Sequence, residues 1–304
     1  MTTFTIVIPC FNAEATLPAT LDSLRAQTFT DWEMLIVDDG STDASREIAR
    51  TAALGDARIT LLNNPSRGPS AARNVALRRA SGKLIAFCDA DDLWAPEKLA
   101  VMDRLFAEEC VDAAFARIAF FDERGSRSLS TVPEGPLTIG MLLAENPVCT
   151  MSNLVVRRDT FEASGGFDSR MVHNEDLEWL IRLVGDGHAV LGVNQTLVHY
   201  RTVANGLSAD LGAMRRGRAT AIETAARYGV RPDRKHEAVY LRYLARRALR
   251  TGAPRHQPLR LALSGALTSP VGFFADHRRG VLTLGGALVA PFLPRSLRRA
   301  LFSH

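Results

Sequence analysis

No glycine-rich phosphate loop occurs in this 304-residue sequence: there is no GxGxxG after the first apolar run and no GxxxxGK[ST] anywhere. Any nucleotide held here must therefore be held largely by carboxylates and a metal. Cysteine is sparse: Cys10, Cys88, Cys110 and Cys149 are scattered and never spaced as CxxC. That pattern predicts reduced thiols in a cytosolic protein, with neither zinc nor disulfides. Three of the four sit in apolar surroundings and are expected to behave as small buried hydrophobes. No apolar run reaches the ~18 residues of a membrane span. The opening "MTTFTIVIPCFN" has no basic n-region and is not expected to be a signal peptide. Repeats and low-complexity segments are absent too, and 46% hydrophobic residues against 23% charged suit a folded chain with a substantial core.

Charge is present but unevenly spread. Residues 210–304 carry 18 Lys and Arg against 5 Asp and Glu, a net +13, whereas residues 1–209 carry 19 against 28, a net −9. The two parts face different partners.

The acidic part alternates strand and helix patterns. "FTIVIPC" (4–10), "EMLIVDD" (33–39), "RITLLNN" (58–64) and "KLIAFCDADD" (83–92) are β-rich apolar runs. Between them lie helical patterns near 16–27, 43–54 and 70–80, and Pro96 opens another at its first turn. Such alternation predicts an α/β fold, a Rossmann-like, doubly wound, mostly parallel sheet. Ligands bind such sheets at the carboxyl ends of strands. Asn12, Asp38–Asp39 and Asp89–Asp92 all lie there. From 113 to 200 the pattern turns mixed, with strands near 113–121, 152–157 and 189–199, a helix at 176–184 and a loop-rich stretch at 122–150. The remainder reads as an Arg-rich helical extension.

Three carboxylates within four residues, Asp89, Asp91 and Asp92, close the fourth strand. Two aspartates one residue apart suit a divalent cation bridging to a diphosphate, since Mg²⁺ commonly takes one or two carboxylates plus substrate phosphates. A bland turn is the competing reading of that triplet alone. A second acidic centre, "HNEDLEW", reads by itself as a helix N-terminus, where the dipole favours acids.

Taken in order, "IVIPCFNAEATLPATLDSLRAQTF", "LIVDDGSTD", "GPSAARNVAL", "GKLIAFCDADDLWAPEKL", "GGFD" and "NEDLEWLIRL" resemble glycosyltransferase family 2 over roughly residues 4–205. The resemblance implies the GT-A fold, with residues 1–112 binding a nucleotide sugar, 113–209 forming a mixed acceptor half and 210–304 lying outside it. It implies a bacterial polysaccharide-type, inverting, metal-dependent hexosyltransferase. The sugar would pass from a nucleoside-diphosphate donor, UDP-linked, to a hydroxyl of a glycan or polyprenyl-linked glycan. By motif, Pro9, Phe11, Asn12 and Glu14 would line the nucleotide pocket, with Phe11 against the base. Asp39 would accept the base N3–H, and Asp38 is either its neighbour in the pocket or a turn former. Gly68 and Arg73 would border the nucleotide, Arg73 available to the phosphates. The family usually has Asn two residues before that Gly; Ser66 stands here. Asp89 would lie near the ribose, Asp91 would ligate Mn²⁺ or Mg²⁺, and Asp92 would support them. Asp176 would be the general base, with Glu175 orienting the acceptor or capping the helix. His199, as a metal ligand, and Arg201 would face the metal or diphosphate; a structural His199 is the competing reading.

Arg clusters beside apolar segments such as "GVLTLGGALVAPFLP" fit an anionic membrane surface better than nucleic acid. The expected location is the inner face of the cell membrane, held peripherally. The same apolar residues could instead cover the catalytic part or a second copy of the chain. A nucleotidyltransferase would show a Gly-rich, basic loop after the first strand, which is missing. A silent nucleotide-sugar-binding or membrane-scaffold protein would have no use for Asp39, Asp91 and Asp176 together.

Overall fold

The structure is a computed structural model describing residues 2–108, 110–122, 125–202, 210–251 and 253–302. In chain order the elements are β1 (Phe4–Cys10), α1 (Leu17–Arg25), β2 (Trp32–Asp38), α2 (Ser45–Gly55), β3 (Ile59–Asn63) and α3 (Pro69–Leu77). Then come β4 (Leu84–Phe87), β5 (Leu93–Trp94), α4 (Lys98–Phe106), β6 (Ala113–Asp122), β7 (Gly125–Leu129) and α5 (Ile139–Ala144). They are followed by β8 (Val155–Arg157), α6 (Arg158–Ala163), α7 (Glu175–Gly185) and β9 (Val190–Arg201). Helices α8 (Leu211–Arg227), α9 (Arg234–Arg250), α10 (Gln257–Thr268), α11 (Pro270–Phe273), α12 (His277–Val289) and α13 (Arg295–Phe302) complete the chain.

Two compact units emerge: residues 1–137 with 147–202, and residues 138–146 with 203–304. In the first, one sheet runs in the order β3-β2-β1-β4-β8-β6-β9-β5, with β7 paired to β6. β1, β2, β3 and β4 are mutually parallel, as the strand–helix alternation predicts, and the other half is mixed. Central β1 is buried on both faces, which is why it reads as a continuous apolar run rather than an alternating one. Register sets the site: Cys10 lies opposite Asp38, and Asp38 opposite Asn63, so the carboxyl ends of three strands form one edge. β4 ends at Phe87, so Cys88–Asp92 leave the sheet as a turn rather than extending the strand.

The second unit is helical, and its core gathers Tyr240, Leu244, Ala248, Leu261, Phe273 and Ala287. The sequence places 138–146 in the acceptor half, but here the segment belongs with the helices. Arg242 and Arg246 of α9 reach Glu145, and Arg218 of α8 donates to the Leu143 carbonyl. The expected 209/210 boundary abuts residues 203–209, outside the described residues. Cys10 and Cys88 are buried, whereas Cys110 and Cys149 are exposed, one buried thiol fewer than expected. Cys149 sits at φ +66 just after the turn at 147–148, and its apolar sequence neighbours do not enclose it.

Candidate active site

The nucleotide-side loops are stapled to one another. Asn12, at φ +47, accepts the Thr42 N–H at 2.8 Å, and Glu14 accepts the Ala44 N–H at 2.9 Å. Both side chains thus join the loop after β1 to the loop after β2. Phe11 beside them is 52% exposed. Asp38 is the turn former: it accepts the Ser41 N–H and pairs with Arg46 at 3.1 Å. Asp39 accepts the Gly68 N–H at 2.9 Å and the Asn64 side-chain amide at 2.6 Å. Gly68 opens α3 at φ +102, a conformation that favours glycine. Two donors thereby engage Asp39, the Gly68 N–H reaching both of its oxygens, against the roughly four acceptor positions of a carboxylate.

Arg73 organises the centre. It is 4% exposed and donates to Asp89 at 2.8 Å and to Glu175 at 2.9 Å. Asp89 follows β4 and Glu175 opens α7, so one guanidinium ties the DxD turn to the helix bearing Asp176. Asp89 also accepts the Thr150 hydroxyl at 3.0 Å, while its N–H donates to the Ser152 hydroxyl at 2.8 Å. Below the turn, Lys98 is fully buried; it lies 3.7 Å from the Trp94 ring and donates to the Ser152 carbonyl at 2.6 Å. Burial pulls its ammonium down to about 7. From the far side Arg201 clasps the motif: its backbone N–H donates to Asp92 and its Nε to the Asp91 carbonyl, both at 2.9 Å. Its guanidinium lies 4.6 Å from the Phe121 ring. His199 stands opposite Leu93 in the β5–β9 pairing, its ring edge-on to Phe121.

Electrostatics separate the acids. Burial, then the Asp89 charge, pushes Asp91 up to about 6. Asp92 is fully buried, with one carboxylate oxygen lacking a partner among the described residues, and is raised well above the usual range by burial and then Asp91. Asp176 is partly exposed at the α7 N-terminus and is pushed up to about 7 by burial, then by Glu175. Its helix starts after Asn174 at φ +58. That start is docked on α3, where Asn74 bonds Phe167 through both its N–H and its carbonyl and Ser70 donates to the Met171 carbonyl.

Residues 5–165 match the family described as glycosyl transferase family 2. The chain belongs to that family. Over 207 residues it is 30% identical to the Escherichia coli UDP-Glc:alpha-D-GlcNAc-diphosphoundecaprenol beta-1,3-glucosyltransferase WfgD, covering 67% of this chain and 79% of that protein. Among solved structures it resembles Staphylococcus aureus TarS 1–349 in complex with UDP (TM-score 0.60, 17% identity), covering 94% of this chain and 90% of that one. It also resembles the Pyrobaculum calidifontis mannosyltransferase PcManGT in complex with GDP-Man and Mn²⁺ (TM-score 0.54, 20% identity), covering 99% and 84%. The architecture is GT-A, and this family 2 chain is a glycosyltransferase.

Several residues of the family pattern make contacts that the motifs do not announce. Arg73 places its two terminal nitrogens on Glu175 and Asp89, which makes it a strut between them. Asn12 and Glu14 are loop staples, and Pro9 lies within β1 opposite Val37. Glu175 is engaged by Arg73. Thr150, Ser152, Lys98, Asn64 and Asn74 were not singled out from sequence. Asn64, four residues before Gly68, had a signal in the "NNPSRG" turn; the others lie far along the chain from what they hold.

Proposed function

We propose that this glycosyltransferase moves a sugar, with inversion at the anomeric carbon, from a UDP-sugar to a hydroxyl of a glycan or lipid-linked acceptor. The observation that carries the reading is the Asp89–Arg73–Glu175 bridge, which brings the DxD turn and the Asp176 helix to one place. The Escherichia coli relative's name, with its UDP-Glc donor and diphosphoundecaprenol-linked acceptor, supports the substrate class.

Asp176 takes the proton from the acceptor hydroxyl. A base titrating near 7 is matched to neutral pH. The acceptor oxygen forms its bond to C1 while the bond from C1 to the diphosphate oxygen breaks, and that electron pair leaves with UDP. Phe11 and Asp39 address the base. Arg201 offers charge beside Asp91 to the leaving diphosphate.

A divalent cation suits these residues. Asp91 is a carboxylate pressed toward neutrality by burial and Asp89, which a cation would relieve. Among the described residues no group of three or more His, Cys, Asp and Glu is placed to hold a metal. An ion here would take most of its ligands from substrate phosphates, as Mg²⁺ commonly does. Mn²⁺ or Mg²⁺, held by Asp91 with His199 as the neighbouring candidate, would supply Lewis-acid charge neutralisation at the diphosphate. The test is a nucleotide-sugar panel scored by thermal shift with and without Mn²⁺. UDP-sugars are expected to stabilise the protein only with the ion, and a panel without any metal-dependent shift contradicts the reading.

We also propose that residues 210–304 attach peripherally to anionic membrane at its inner face. No helix among the described residues is long and apolar enough to cross a membrane. Yet this Arg-rich unit exposes Leu267 (79%), Phe292 (87%), Leu282, Leu288 and Val289. Each basic residue near such a surface contributes about 1 kcal/mol. Co-sedimentation with phosphatidylserine vesicles is expected at low salt and should fade as salt rises. Indifference to anionic lipid at low salt contradicts this reading.

A further inference from the structure

We propose that the helical unit carries, between α8 and α9, a binding site for a phosphate ester with an apolar substituent. A cavity of about 210 Å³ opens there, lined by Arg215, Arg218, Glu237 and Tyr240 with apolar Ile222 and Leu244. At ~30 Å³ per water that is room for several waters or for one phosphate group and part of a chain.

Two of the lining groups are buried donors without partners. Among the described residues the Tyr240 hydroxyl has no hydrogen-bond partner although the residue is only 9% exposed, and the Arg218 Nε has none either. Such groups are rare in folded proteins and costly to leave unmet. The Arg218 Nη2 is engaged: it donates to the Leu143 carbonyl and to Glu237, each at 2.9 Å, and the guanidinium lies 3.7 Å from the Tyr240 ring. Glu237 thus has its charge answered within the site. Burial pushes the Tyr240 phenol up to about 12, so its hydroxyl keeps a proton to donate. Exposed Arg215 on α8 adds a third donor. Three donors suit the three terminal oxygens of a phosphate ester better than the two of a carboxylate. The apolar wall suits what the ester carries.

The experiment is calorimetry on the full chain with three probes: inorganic phosphate, dodecyl phosphate below its micelle concentration and uncharged dodecyl glucoside. Dodecyl phosphate should bind best, inorganic phosphate more weakly and the glucoside not at all. Tyr240→Phe should weaken dodecyl phosphate binding about tenfold, the effect of one hydrogen bond to a charged group. Because it removes only an unpartnered hydroxyl, its ligand-free melting temperature should equal or exceed wild type. Arg215→Ala should also weaken binding, with a shallower salt dependence. Asp91→Ala should change nothing, which keeps this site distinct from the donor site whether or not the proposed transfer reaction is correct. Three results overturn the proposal: no binding of either phosphate, wild-type affinity in Tyr240→Phe, or loss of binding in Asp91→Ala. Equal affinity for inorganic and dodecyl phosphate overturns its apolar half.

Discussion

Asp176→Asn is expected to bind donor as the wild type does and to transfer sugar at least ~10²-fold more slowly, the usual effect of losing a general base. Asn keeps the shape of Asp and cannot accept the proton. The pH profile sharpens the expectation. Burial and Glu175 place Asp176 at about 7, and its carboxylate is the active form. Wild-type kcat/KM should therefore rise through pH 7 and be lost below it, whereas an ordinary aspartate would put that limb near 4. The Asn variant should lose the limb along with the rate. Near-normal transfer by the variant, or a wild-type profile flat down to pH 5, would move the base elsewhere, with Glu175 next to be tested.

The second large effect is on stability. Arg73→Met should cost ~3–5 kcal/mol, because removing one partner of a buried ion pair leaves the others uncompensated. Here two carboxylates lose their cation, and both Asp89 and Glu175 are largely enclosed. Trp32, Trp94 and Trp179 all lie in the first unit, so tryptophan fluorescence during urea unfolding reports on that unit alone. The midpoint should fall with little change in slope. Transfer should fall too, since the strut holds the DxD turn and the base helix in one frame. A variant as stable as wild type would show that Arg73 is no strut.

Much of the parallel half was legible because its strands are short β-rich runs that end in polar residues at one sheet edge. "FTIVIPC" and "EMLIVDD" announce both the strands and the site beyond them. The acids of "DADD" and "NED" take a chemical reading only through the resemblance to glycosyltransferase family 2; alone they read as a turn and a helix N-terminus. What they lean on was not legible. Arg73 and Glu175 are 102 residues apart, and Thr150 reaches Asp89 across 61. Nothing local marks such a partner. Segment 138–146 misled for a related reason. "IGMLLA" is too short to show a helical period, and it joins the helical unit through arginines about 100 residues later. Lys98 sits in an ordinary helix start, and only the fold reveals that it is buried beneath the motif.

The central claim is a division of labour, with Asp91 holding the donor through a cation and Asp176 acting only on the acceptor. Calorimetry with UDP and Mn²⁺, run side by side on Asp91→Ala and Asp176→Asn, tests it most directly. Asp176→Asn should titrate like wild type, and Asp91→Ala should remain folded and show no metal-dependent heat. Wild-type affinity in Asp91→Ala, or loss of UDP binding in Asp176→Asn, would contradict the claim.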